Sequence, residues 1–172
     1  MEGYHMAYGS YPQATPADAG YGSFDNYKYD KEHGIQLYMK YSGMRKEAEK
    51  KTVKNQFTRA QMNPNEEDKV ICPAGYEFTL VDTRIERRGM YPREIEMYQN
   101  EHCEGCPFKS QCTKSKTGRT IQRCRELESY KNEVKENLST EQGKKYMTQR
   151  SIWSEGIFGQ IKEDNHYDKL RR

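Results

Sequence analysis

The most regular alternation of apolar and polar positions lies in the last third of the chain. Leu127, Tyr130, Val134 and Leu138 recur at helical spacing, which predicts an amphipathic helix over 125–138. Ser139, with Gln142 three residues later, reads as the capping-box start of a second helix over 140–162. At about 100° per residue, Tyr146, Met147, Trp153, Ile157, Phe158 and Ile161 share one broad arc of it, while Glu155 and Lys162 share a line beyond the arc's edge. The pattern predicts a packing face and a charged edge. Taken alone, such an edge reads as a solvated surface.

Earlier in the chain the period changes. Small residues over 14–23 run into Asp18, and Gly20 and Gly22 then permit a tight turn. Ser23 is placed to cap a helix over 24–33, closed by Gly34. Ile35, Leu37, Met39 and Tyr41 alternate with Gln36, Tyr38 and Lys40, as in a strand with one apolar face. Strand, helix and strand in that order predict the edge of an α/β sheet, with Asp18 at a strand's carboxyl end, where ligands gather in such folds. Residues 1–13 have no clear period. The stretch 42–61, with Arg45, Lys46, Lys50, Lys51, Lys54 and Arg59, reads as a linker or exposed helix whose charge is either solvated or contacts phosphate. Over 63–124 the pattern is β: Tyr76, Phe78 and Leu80, then Ile95 and Met97, flank the basic turn Arg87-Arg88-Gly89-Met90-Tyr91-Pro92, and a third strand is expected at 120–123.

Composition sharpens this picture. Val, Ile, Leu and Phe number only 22, 13% of the chain, so the 14 Tyr must supply much of any core. The net charge of +3 permits nucleic-acid binding without arguing for it. No apolar run approaches a membrane span and no signal peptide is evident, so no membrane partner and a cytoplasmic location are expected. Five Cys, three within Cys103, Cys106 and Cys112, point to metal ligation rather than a disulfide framework. With Cys72 they would make four thiolates for a Zn2+ ion; reduced structural thiols are the alternative. Cys124 is left over and His102 is a substitute ligand. After them, Lys109, Lys114, Lys116, Arg119, Arg123 and Arg125 would form a basic ridge suited to DNA backbone.

Three separated stretches, 16–41, the Cys pattern ending in 103–116, and 150–162, together resemble the C-terminal half of a DDE transposase of bacterial insertion sequences. The resemblance implies a partial RNase H-like α/β fold interrupted by a small β-rich, Cys-containing insertion. Residues 1–62 would be the second half of the sheet with the basic linker, 63–124 the insertion, and 125–172 the C-terminal helices bearing the final Glu. Asp18 then matches the second catalytic Asp and Glu155 the Glu, while Tyr146, Arg150 and Lys162 resemble DNA-contacting residues around that Glu. Such carboxylates hold two Mg2+ ions about 3.5–4 Å apart that activate the nucleophile and stabilise the leaving oxygen of a phosphodiester.

The implied partner is DNA at insertion-sequence ends, with a homodimer for the intact parent and a nucleoid-associated state when bound. Two features depart from the family. The only acid before Asp18 is Glu2, so the first Asp is unaccounted for and a truncated, inactive fragment is expected; and Pro16 fits only a strand start or edge. A non-catalytic, zinc-stapled DNA-binding module is the rival reading.

Overall fold

A computed structural model of the chain describes residues 1–49 and 54–164; for Glu155 and for 157–164 it describes the backbone but not the side chains. The elements are α1 (Glu2–Tyr8), β1 (Ala14–Thr15), α2 (Phe24–Glu32), β2 (Gln36–Leu37), α3 (Met44–Ala48), a 3-10 turn (Arg59–Gln61), β3 (Thr79–Glu86), β4 (Arg93–Asn100), α4 (Lys109–Cys112), β5 (Arg119–Arg123), α5 (Arg125–Ser139) and α6 (Glu141–Asp164). Helices and two small sheets make a mixed α/β chain, divided into one unit of 1–41 with 130–172 and another of 42–129.

In the first unit β1 and β2 pair in parallel, Ala14 with Gln36 and Thr15 with Leu37, so β1, α2 and β2 form a β-α-β element. The side chain of Ser23 accepts from the Asn26 N–H at 3.3 Å and starts α2 as its spacing predicts. The strand that follows is shorter and more buried than alternation suggests. Ile35, Leu37, Met39 and Tyr41 are buried, but so is Tyr38, whose ring meets Tyr146 of α6 edge-on at 5.0 Å. Aromatic residues do supply the interior: Phe24 and Tyr27 of α2 lie 6.1 and 6.2 Å from the Tyr130 ring of α5, and the Tyr27 hydroxyl donates to Met39 O at 2.9 Å. Asn137 of α5 ties to Leu37 O at 3.0 Å.

Two details of the C-terminal helices depart from the sequence reading. The Ser139 hydroxyl turns back onto Glu136 O, and Thr140, not Ser139, accepts the Gly143 N–H at 3.0 Å, so the cap sits one residue later. Trp153, assigned to the packing arc, is 68% exposed. The side chains of Ile157, Phe158 and Ile161 lie outside the described residues.

The second unit is built on an antiparallel sheet in the order β3-β4-β5, as the alternation predicts. Its covered residues include the expected Phe78 and Ile95 but extend beyond them. Phe78 is buried, but Leu80 of the edge strand β3 and Tyr76, which precedes that strand, are about half exposed. On β4 both faces are covered: Ile95 is buried, and so are Glu96, Tyr98 and Asn100. The hydrophobic cluster is Met62, Val70, Phe78, Tyr98 and Ile121, with Cys72 and Cys112 packed against it.

Candidate functional site

Asp18 stands three residues past β1, beyond the strand's carboxyl end. Pro16 falls just after the two-residue strand, where its missing N–H costs no ladder bond. The chain from Asp18 turns tightly, with Tyr21 N–H donating to Asp18 O at 3.0 Å, and Gly22 bridges to Tyr41. The exposed Asp18 carboxylate accepts the Ala19 N–H at 2.8 Å through Oδ1, and its Oδ2 lies 3.3 Å from Nη2 of Arg150 on α6. The Ala19 N–H, then the Arg150 charge, hold the Asp18 carboxyl below the usual carboxylate range, with a smaller contribution from Lys40.

Arg150 itself is part-buried and paired. Among the described side chains singled out as DNA-contacting, it is the one joined to Asp18. Tyr146 is one turn earlier on α6, and its ring packs on Tyr38. Glu155 and Lys162 lie on the same helix, but their side chains are outside the described residues. On a regular helix the Glu155 Cα falls about 7.5 Å along and about 140° round from Arg150. Lys40, an exposed residue in the segment after β2, was not marked by the sequence as a site residue; its exposed place in the alternation was the available signal.

The acids nearest the amino terminus have other partners. Glu2 accepts the hydroxyls of Tyr29 at 2.5 Å and Tyr11 at 3.1 Å. Asp30 is buried, and accepts the Thr15 hydroxyl at 2.5 Å. Burial pushes the Asp30 carboxyl up, against the opposing effect of that hydrogen bond.

In the second unit Cys72, Cys103, Cys106 and Cys112 line one small cavity, with His102 and Arg119 also on its wall. All are free thiols, and Cys124 is buried elsewhere. The His102 ring stacks on Tyr76 at 4.7 Å. Among the described residues, no group of three or more His, Cys, Asp or Glu side chains is arranged to hold a metal ion.

The expected basic ridge is corrected by the packing. Arg123 is 3% exposed and gives Nη2 to Asp68 Oδ1 and to Glu128 Oε2, both at 2.8 Å. Arg125 pairs with Glu96 at 2.7 Å and with Asp68, and Arg119 turns onto Cys112. Arg123 is thus an internal tie and Arg119 a half-buried one, while Arg125 is paired but exposed, as are Lys114 and Lys116.

No described helix is long and apolar enough to cross a membrane. No curated protein and no solved structure matches the chain. A family model described as the transposase DDE domain matches residues 71–172, a span that contains the four thiols, Tyr146, Arg150, Glu155 and Lys162 but not Asp18. More than half of the chain lies in that match, and the chain belongs to the DDE transposase family.

Proposed function

We propose that the unit of 1–41 and 130–172 carries acidic groups for metal-assisted cleavage and joining of DNA at insertion-sequence ends, with Asp18 and Glu155 as metal ligands. The observation that carries this reading is the Asp18–Arg150 pair at 3.3 Å, which ties the loop beyond β1 to the helix that bears Glu155. Family membership implies DNA as the partner and divalent-metal chemistry as the means.

The described donor set fits a hard cation to the extent of one group. Asp18 is ionised, exposed and presents carboxylate oxygen, the atom type that Mg2+ takes. Bound Mg2+ would polarise the scissile phosphodiester and lower the pKa of the attacking hydroxyl. Asp18 Oδ1 is fixed by the Ala19 N–H, which orients the carboxylate, and Oδ2 faces Arg150. Arg150 balances the Asp18 charge and, with five N–H donors, also suits a DNA phosphate. Lys162 and Tyr146 extend the same helix as DNA contacts.

Mn2+ binding, followed by electron paramagnetic resonance, tests this together with Mg2+-dependent nicking of DNA that carries an insertion-sequence end. Asp18→Asn and Glu155→Gln should each weaken Mn2+ binding by about tenfold or more, as expected for loss of a carboxylate ligand. Undiminished Mn2+ binding in both variants would sink the assignment. Salt-sensitive DNA binding that survives both substitutions, with no nicking by any form of the chain, would favour the non-catalytic DNA-binding module.

A further inference from the structure

We infer that Cys72, Cys103, Cys106 and Cys112 form a structural site for one thiolate-bound Zn2+ ion. The inference stands whether or not Asp18 and Glu155 act on DNA.

Three separate segments bring these thiols to one cavity. Cys72 opens the turn before β3, Cys103 and Cys106 lie in the loop after β4, and Cys112 ends α4. The first two segments are built alike. In one, Gly75 N–H donates to Cys72 O at 2.8 Å and Cys72 N–H to Tyr76 O at 2.8 Å; in the other, Cys106 N–H donates to Cys103 O at 3.4 Å. Each turn depends on a glycine in the left-handed region, Gly75 at φ 87° and Gly105 at φ 70°. The result is a pair of tight turns that offer sulfur from loops rather than bury it in a strand.

The surroundings suit charged sulfur. Tyr76 N–H donates to Cys72 Sγ at 3.4 Å, Arg119 N–H to Cys103 Sγ at 3.4 Å, and Arg119 Nη1 to Cys112 Sγ at 3.3 Å. Donors of this kind orient thiolate ligands and offset their charge. Four thiolates about a divalent ion carry two net negative charges, and the Arg119 guanidinium and Lys109, both on the cavity wall, supply two positive ones. The cavity holds about 20 Å³, room for one water-sized occupant and too little for an organic ligand.

A disulfide framework is not what the thiols have formed, since all four are free. They also do not stand in a closed ligand shell, and Cys103 Sγ still donates to Asn100 O at 3.4 Å as a thiol does. Metal entry therefore requires the sulfurs to draw together, and each thiol that becomes a ligand releases its proton to solvent. The hydrophobic cluster beneath holds only five buried residues, with Cys72 and Cys112 against it. A staple at this place would add the cross-links that so small a core lacks.

Metal analysis of the full chain purified under reducing conditions tests the site, together with Co2+ titration and zinc-edge X-ray absorption. One ion per chain is expected, with a first shell of sulfur only at about 2.3 Å and a tetrahedral thiolate spectrum for Co2+. Cys72→Ser and Cys106→Ser should each weaken Zn2+ affinity by about 100-fold or more, and Arg119→Ala by about 10–100-fold, while Cys124→Ser keeps the ion. Absence of stoichiometric metal, a nitrogen- or oxygen-containing shell, or equal loss in Cys124→Ser would overturn the assignment. The absorption measurement uses the unaltered chain, so it decides the question even if a serine variant fails to fold.

Discussion

In the unit of 42–129, Arg123 is 3% exposed and its guanidinium is shared between Asp68 and Glu128, with Arg59 also reaching Glu128 at 3.2 Å. In the unit of 1–41 and 130–172, Arg150 meets a single carboxylate among the described residues, and that carboxylate, Asp18, is 67% exposed. The same residue type thus does two different things. A buried guanidinium with every direction filled is committed to the fold, since releasing it would strand charges away from water. An exposed pair is held weakly against solvent, so either partner can be taken over by a metal ion or a phosphate at little cost. Charge in the first setting reports on stability, and charge in the second is available to a ligand.

The largest expected effect tests that contrast directly. Arg123→Ala should destabilise the chain by about 3 kcal/mol in urea unfolding, because a buried cation is removed from between two carboxylates. Arg150→Ala should leave the unfolding curve close to that of the unaltered chain. Equal losses in the two variants would erase the distinction between a structural and an available arginine.

The sequence made the β-α-β element and the hairpin legible because their periods and caps are local: Ser23, Gly34 and the turn at 87–92 announce themselves. On β4 it found the face with Ile95, which is buried, but missed that the opposite face is covered too, for a reason that alternation cannot carry. Glu96 can be buried because Arg125 neutralises it at 2.7 Å and the Tyr98 hydroxyl donates to it at 2.8 Å, and Arg125 lies 29 residues away. The basic ridge lost Arg123 in the same way, since it reads as surface until its partner Asp68, 55 residues away, is known. For the candidate site, the position of Asp18 past a strand end was legible from small residues and glycines. Its partner Arg150, 132 positions on, was nominated by family resemblance, and the pairing itself by nothing in the sequence.

An intermediate effect sharpens the comparison from the other side, by asking how firmly the frame under Asp18 is packed. A Cβ added at Gly22 would lie 2.0 Å from Lys40 O and 2.6 Å from the Tyr27 hydroxyl. Neither can withdraw freely, since Lys40 belongs to the chain that pairs with Ala17 and Tyr27 is fully buried on Met39 O. Gly22→Ala should therefore cost about 1–3 kcal/mol, as overpacking does, read as a lowered urea midpoint with an unchanged slope. A neutral result would mean that the loop beyond β1 is loose, and that the position of Asp18 owes nothing to the strand pair.

The smallest effect on stability belongs to Asp18. Its carboxyl is held below the usual range by the Ala19 N–H and then by Arg150, so whatever stability it lends is present above the ordinary carboxylate pKa and fades as pH falls through the lowered one. Asp18→Asn keeps an oxygen for the Ala19 N–H and loses the charge that faces Arg150. Thermal melts of the two forms should coincide at acid pH and differ only marginally at neutral pH, because an exposed pair is nearly balanced by its hydration. Mn2+ binding at neutral pH should separate the same two proteins clearly. A carboxylate whose loss is nearly silent in the melt but conspicuous in metal binding is one that the fold does not need. A large fall in Tm at neutral pH would instead place Asp18 with Asp68, as a group that holds the chain together.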